Sequence, residues 1–445
     1  MGNLSFLSRA EIESLGPPTP EELDETGVSQ AFLRDLALKH VASLATPTTA
    51  AVAEKLRLPL ALTDELLYQL YREKLIEIRL QNALGQTRYS MLDHGWEQVL
   101  RLQAHCGYAG PAPVTLADYS YMMKLQATPA KPASMSAVRT AFRDLVLPES
   151  LLNTLGCAIN SRSSVFLTGL PGTGKTAVAE RMNAVITGAL WIPYAIEIDN
   201  QIIRVYDAHC HEAIGEQATP HEYDRRWIQI KRPMIIVGGE LTLESTDLVW
   251  SEFSRFYEAP FQVKSNGGTL VIDELGRQRV SSTDLLNRWI MPLEKRVDFL
   301  TLHSGKKIEV PFEQLVVFST NLHESEFADE AFLRRMGYRA RLELPAPGAY
   351  GEIFKRAAAL KGVAIDHESI SYVLHKYDVE GRAMKCCEPR DLLNRISDIC
   401  SFEGRPLQVS RALIDAAWGN YFGTAHTFDS FQESSPLPQS QAVSF

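Results

Sequence analysis

The chain has 445 residues, too many for one hydrophobic core, so two or three domains are expected. Its 45% hydrophobic and 22% charged content suits a folded globular protein, and a net charge of −9 argues against wholesale electrostatic capture of nucleic acid. Cys106, Cys157, Cys210, Cys386, Cys387 and Cys400 form no C-x-x-C pair, which excludes a disulfide framework and points to a reducing compartment. His209-Cys210-His211 lacks a second ligand pair at zinc-like spacing, so it reads as structural. No run reaches the ~18 apolar residues of a membrane span. The opening residues lack a signal-peptide core, and Phe6 stands where myristoylation requires Ser or Thr. A cytoplasmic protein without membrane insertion is expected.

Residues 1–27 are acidic and carry Pro17, Pro18 and Pro20, the composition of a flexible arm. From Ser29 the apolar residues Phe32, Leu33, Leu36, Leu38, Val41 and Leu44 recur near a helical period. Thr48-Thr49 opens a second helix to Leu56, and Thr63 is placed to cap a third ahead of Asp64 and Glu65. Ile76 to Leu80 then alternates as a strand, a turn containing Gly85 follows, and a second strand runs through Tyr89, Met91 and Leu92. Three helices followed by a two-stranded ribbon resemble a winged-helix domain over residues 28–102, and Tyr89 to Gly95 is similar to the second wing strand and helix start of bacterial winged-helix regulators. Residues 103–135, broken by Gly107, Gly110, Pro111, Pro113, Pro129 and Pro132, read as a linker. Residues 424–445, rich in Ser, Gln and Pro, read as a disordered tail.

Ser164 to Thr168 reads as a buried strand. It feeds Gly169-Leu170-Pro171-Gly172-Thr173-Gly174-Lys175-Thr176 and then a helical run from Ala177 to Ala184. This is G-x-x-x-x-G-K-[ST] in the setting of strand, loop and helix that it requires. Glycines let backbone N–H groups wrap a phosphate, and the helix N-terminus adds positive potential. Lys175 is assigned to the β- and γ-phosphates of ATP, and Thr176 to Mg²⁺. A second apolar strand, Leu270 to Ile272, ends in Asp273-Glu274, at the edge where open α/β sheets bind ligands. Asp273 would help hold the metal, and Glu274 would polarise the attacking water.

With these motifs in place, residues 136–345 resemble the αβα large domain of AAA+ P-loop ATPases, and the helical stretches of 346–423 resemble the AAA+ lid. The resemblance implies an α/β fold and an oligomeric ring, a homo-oligomer of hexamer type. It makes Asn321, after the strand Leu315 to Ser319, the first sensor. It makes Arg334 or Arg335 an arginine finger toward a neighbouring subunit, and Arg390, near the start of a lid helix, the second sensor. Gly239-Glu240-Leu241, the segment Trp250 to Phe261 and Asn266-Gly267-Gly268-Thr269 are similar to MoxR ATPases, magnesium chelatase motor subunits and enhancer-binding activators. So are the helix Asn287 to Glu294 and the hairpin Arg296 to Pro311, although the GAFTGA loop of the activators is absent. Tyr194 to Tyr206 alternates as an inserted hairpin with no assigned role. Trp250, Phe253, Phe256, Tyr257 and Phe261 either pack a helix in the core or grip a substrate at a central pore.

Three functions compete: an ATP-driven remodeller of a protein client, a DNA-binding regulator controlled by ATP, and a nucleic-acid motor. Residues 1–150 hold 14 Lys and Arg against 17 Asp and Glu. The third helix of the winged-helix block carries Asp64, Glu65 and Glu73 against Arg72 and Lys74. A DNA reader needs a basic face, so the protein client leads. Lys55, Arg57, Arg79 and Arg88 remain as a patch through which DNA could bind.

Overall fold

A computed structural model describes residues 16–79, 87–127, 132–215, 223–322, 334 and 336–423. The expected Gly85 turn, Arg335, the first half of the arm and the 424–445 tail lie outside the described residues. The chain divides into two compact units, one drawn from residues 1–141, 149–168 and 176–340, the other from 142–148, 169–175 and 341–445.

The larger unit opens with helices α1 (Gln30–Ser43), α2 (Thr49–Leu56) and α3 (Leu60–Arg72). Ser29 and Thr48 cap the first two by accepting from the N–H groups of Phe32 and Ala51. Thr63 does not cap the third. Pro59 occupies that position, and the buried Thr63 hydroxyl donates to the Pro59 carbonyl at 3.0 Å instead. Strands β1 (Ile76–Arg79) and β2 (Arg88–Met91) pair antiparallel, with Ile76 opposite Met91, ahead of α4 (Asp93–His105). Leu33, Leu36, Val52, Leu66, Leu67 and Ile76 share one core.

Two expectations about boundaries fail here. Residues 103–135 are not a linker: they form β3 (Val114–Thr115) and α5 (Leu116–Ala127), and Tyr119, Met122 and Met123 of α5 are fully buried. Their helical spacing outweighs the prolines, which lie outside the element, and Thr115 caps it by accepting from Asp118 N–H. Residues 16–27 are likewise packed, with Leu23 and Thr26 buried. Arg226 explains why the N-terminal block joins the larger unit. Its guanidinium pairs with Asp224 and donates to the carbonyls of Thr26 and Pro113, all out of water. The core of the helices also takes in Ala195 and Ile202 from the inserted hairpin.

The remaining elements of this unit are α6 (Met135–Ala141), α7 (Glu149–Ser161), β4 (Val165–Gly169), α8 (Lys175–Val185), β5 (Ala189–Pro193), β6 (Ala195–Ile198), β7 (Gln201–Arg204), β8 (Trp227–Lys231) and β9 (Met234–Val237). They continue with β10 (Val249–Trp250), β11 (Tyr257–Glu258), α9 (Phe261–Lys264), β12 (Thr269–Ile272), α10 (Ser282–Lys295), β13 (Val297–Thr301), β14 (Lys307–Pro311), β15 (Leu315–Thr320) and β16 (Tyr338–Leu342). The inserted hairpin is β6 and β7, closed by Asp199 and Asn200 at φ 51° and 61°, the pair of left-handed residues that a two-residue hairpin turn demands. It joins a five-stranded sheet of order β10-β11-β7-β6-β3.

The central sheet has the order β16-β4-β15-β12-β9, and β4, β15, β12 and β9 run parallel. Their continuous apolar sequences follow from burial on both faces. Non-consecutive strands are neighbours, so the strand that precedes the glycine loop and the strand that ends in Asp273 both flank β15. Segment 250–261 is not a helix. Strand β11 pairs with β10 on one side and β7 on the other, which buries Tyr257, while Phe253 at the tip between β10 and β11 is 98% exposed.

The smaller unit is built on α11 (Pro347–Leu360), α12 (His367–Val379), α13 (Glu388–Phe402) and α14 (Arg411–Phe422), around Tyr350, Phe354, Tyr377, Leu392 and Trp418.

Candidate functional site

In the larger unit, Thr176 and Asp273 meet. Thr176 lies in the first turn of α8 and Asp273 directly follows β12; the Thr176 hydroxyl donates to Asp273 Oδ2 at 2.8 Å. They are 97 positions apart in sequence, and the order of β4, β15 and β12 brings them to one edge of the sheet. A hydroxyl and a carboxylate side by side are hard oxygen donors, the set that suits Mg²⁺.

Asp273 Oδ1 accepts the N–H of Glu274 at 2.9 Å. Glu274 itself has φ 52°, a left-handed backbone that costs a non-glycine residue on the order of 1 kcal/mol and clusters at functional sites. Its carboxylate is about half exposed, with Arg277 Nη1 at 3.9 Å. Asn321 follows β15 and is half-buried. Just before it, the Thr320 hydroxyl donates to the Leu275 carbonyl at 2.7 Å, tying β15 to the turn that bears Glu274. Arg334 is exposed.

In the smaller unit lies the loop Gly169 to Lys175. Lys175 is buried, and its Nζ donates to the carbonyls of Gly169 and Leu170 at 2.8 and 3.1 Å. The Thr173 hydroxyl donates to the Leu170 carbonyl at 2.9 Å, closing the loop on itself. Gly174 has φ 92°, and a Cβ there would project into open space, so the cradle keeps room for a phosphate beside its backbone. Gly172 answers a different need. At φ 83°, a Cβ would stand 2.9 Å from Cys387 Sγ and 3.1 Å from Lys385 Cβ, because the turn before α13 packs directly on the loop. Cys387 N–H donates to the Gly172 carbonyl at 3.2 Å.

That turn is held from behind. Glu388 is 2% exposed, and its Oε2 accepts from Tyr377 Oη at 2.7 Å and from Lys385 N–H at 2.9 Å; Tyr350 Oη donates to Tyr377 Oη at 2.8 Å. Burial, followed by the neighbouring Tyr350 and Glu388, raises the Tyr377 phenol far above its ordinary range, so it stays a donor. The chain of hydroxyls ending on a buried carboxylate was not legible in the sequence. Arg390, two residues on, is exposed, with Nε 3.4 Å from Asp391 Oδ1.

His211 is buried with both ring nitrogens engaged: Nδ1 accepts Asp207 N–H and Nε2 faces the Lys264 carbonyl. Burial lowers its pKa, so it is neutral.

A parallel sheet of this order, a glycine loop after its first strand and a carboxylate pair after its third define the architecture. The fold is α/β, built on that parallel sheet, with a second unit that is helical. Residues 346–420 match the model of a family described as Domain of unknown function (DUF8689). No curated protein matches the chain. Among solved structures, NtrX from Brucella abortus in complex with ADP is similar at 17% identity, with 64% of this chain and 58% of that chain covered and a TM-score of 0.38. The Thermotoga maritima RuvB Holliday junction branch migration motor is similar at 16% identity, with 63% and 71% covered and a TM-score of 0.36. The chain thus spans somewhat over half the length of the NtrX structure.

Proposed function

We propose that the protein is a Mg²⁺-dependent ATPase that works as a homo-oligomeric ring and remodels a protein partner. The contact between the Thr176 hydroxyl and Asp273 carries the nucleotide reading, because it joins the phosphate-loop motif to the carboxylate strand through two oxygens of the type Mg²⁺ binds. Gly169, Leu170, Pro171, Gly172, Thr173, Gly174, Lys175, Thr176 and Ala177 would line the phosphates, with Lys175 turning from its own loop carbonyls to the β- and γ-oxygens. When bound, Mg²⁺ neutralises charge on those oxygens. Glu274 orients a water whose oxygen bonds to the γ-phosphorus. The bond to the β–γ bridging oxygen then breaks, ADP leaves with its electron pair, and the water's proton passes to the Glu274 carboxylate. Asn321 serves as the first sensor, Arg390 as the second, and Arg334 as the finger to a neighbouring subunit; Arg335, the alternative finger, lies outside the described residues.

Residues 28–102 are read as a winged-helix module that recruits the partner. Its third helix supports a protein in preference to DNA: Leu60, Tyr68 and Tyr71 fall on one face at 57%, 58% and 43% exposure, beside Asp64. Two cations of the small basic patch are already compensated, Arg57 by Glu54 at 3.4 Å and Arg79 by Glu77 at 2.9 Å. Each pairing weakens the patch for the phosphate contacts that DNA binding requires.

Replacing Lys175 with Ala is expected to reduce ATP turnover by at least about 100-fold. Glu274→Gln is expected to retain ATP while stalling, and affinity capture with it should recover ring and client together. Wild-type protein that neither retains nucleotide nor loses turnover on the Lys175 change would overturn the proposal.

A further inference from the structure

We infer that Gln278 is a positioning residue for ATP hydrolysis, acting through the backbone turn that aims Glu274. The inference rests on the ATPase reading and adds to it a residue outside both nucleotide motifs. After Asp273 the chain reverses in four residues: Arg277 N–H donates to the Glu274 carbonyl at 2.9 Å, while Glu274 sits in the left-handed region. Such a turn at a strand end exposes several backbone groups, each of which needs a partner.

Accounting for them isolates Gln278. Asp273 N–H donates to Val237, and Leu275 N–H to Ser319, both at 2.8 Å, through the neighbouring strands. Glu274 N–H goes to its neighbour's Oδ1, and the Leu275 carbonyl accepts from the Thr320 hydroxyl. Two further groups, the Asp273 carbonyl and the Gly276 N–H, are both served by one side chain. Gln278 Nε2 donates to the Asp273 carbonyl at 2.8 Å, and Gln278 Oε1 accepts from Gly276 N–H at 2.8 Å. A primary amide supplies both a donor and an acceptor from one planar group. The half-buried amide closes a bridge across Glu274, clamping the peptide before it and the peptide after Leu275.

The consequence is directional. Without the bridge the left-handed Glu274 loses the clamp across it, and its backbone can relax to an ordinary conformation that swings the carboxylate away. Misplacement by about 1 Å is enough to cost on the order of 100-fold in rate. Substrate affinity should hold, because Gln278 contacts none of the loop residues assigned to phosphate binding.

The test compares Gln278→Met, which preserves length but neither hydrogen bond, with Gln278→Glu, which retains an acceptor for Gly276 but cannot donate to Asp273 when ionised. In both, kcat is expected to fall 10- to 100-fold with KM for ATP within about threefold of wild type. Adding Gln278→Met to Glu274→Gln should leave the residual single-turnover rate unchanged, since the bridge acts only through the carboxylate already removed. An unchanged kcat, a rise in KM with kcat intact, or a further loss in the Glu274→Gln background of the same size as in wild type would each overturn the inference. Failure of the parent reading shows separately: wild type itself would then neither hold nor hydrolyse ATP.

Discussion

Replacing Arg288 with Met tests the packing logic of the larger unit at a buried ion pair. By sequence, helix Asn287 to Glu294 resembles a surface that presents subunits to one another. The structure turns its arginine inward. Arg288 reaches Asp298 of β13 with Nη1 at 2.5 Å from Oδ1 and Nη2 at 3.0 Å from Oδ2, and Nη2 also donates to the Thr246 carbonyl. Asp298 is 1% exposed and accepts two further bonds, from Gln262 Nε2 at 3.0 Å and from Phe299 N–H at 2.8 Å. Removing the guanidinium strands that carboxylate with two neutral donors and no counter-charge.

Breaking a buried pair by deleting one partner costs about 3–5 kcal/mol. Arg288 retains 24% exposure, so water partly replaces it and the lower bound applies, about 3 kcal/mol. With a urea m-value of about 3 kcal/mol/M, the transition midpoint falls by about 1 M. The second half of the argument is the double variant Arg288→Met with Asp298→Asn. It removes the stranded charge while keeping an acceptor for Phe299 N–H, and should recover a substantial part of the loss. A single variant that loses under about 1 kcal/mol, or a double variant less stable than the sum of the two single changes, would refute the reasoning.

Phe253→Ala should leave basal ATPase within about twofold of wild type, because its ring touches no packed element, yet reduce the amount of partner recovered by Glu274→Gln capture; equal recovery would remove Phe253 from client contact. Asp207 is partly buried, which opposes ionisation, but Lys264 at 2.6 Å and His209 N–H hold its carboxyl at about 2. A lowered carboxylate pKa contributes stability above the ordinary value near 4 and loses it as pH falls through 2. The advantage of wild type over Asp207→Asn should therefore be flat above pH 5, roughly 2 kcal/mol, and shrink between pH 4 and 2 in urea titrations. Glu388→Ala leaves Tyr377 Oη and Lys385 N–H without their acceptor, and should destabilise the smaller unit by about 2 kcal/mol and weaken ADP binding, read by denaturant and by titration calorimetry.

The parts of the site that sequence discloses are those whose chemistry depends on residue type. Lys175, Thr176, Asp273 and Glu274 follow from a glycine loop and an apolar run ending in two acids, and the strands carrying them appear within a residue of their expected bounds. The hairpin of β6 and β7 was legible for the same reason, since Asp199-Asn200 interrupts strict alternation with residues that tolerate a left-handed backbone. Three expectations failed for other reasons. Trp250, Phe253, Phe256 or Tyr257, and Phe261 recur at three to four residues and mimic a helix; Arg255 at φ 54° turns the chain, and β7 supplies a parallel edge for Tyr257, so strand pairing wins. The prolines around α5 bracket a helix whose own Leu116, Tyr119 and Met123 kept helical spacing. Thr63 lost its capping role to a proline four residues upstream. In the first case a backbone partner distant in sequence overrode a local pattern; in the other two a second local signal prevailed. Gln278 is the limiting case: its two bonds go to main-chain atoms within five residues, yet they exist only because β9 and β15 hold the turn open between them. A glutamine after D-E-L-G-R is unremarkable as text, and its meaning depends on Glu274 being strained, which side-chain identity does not encode.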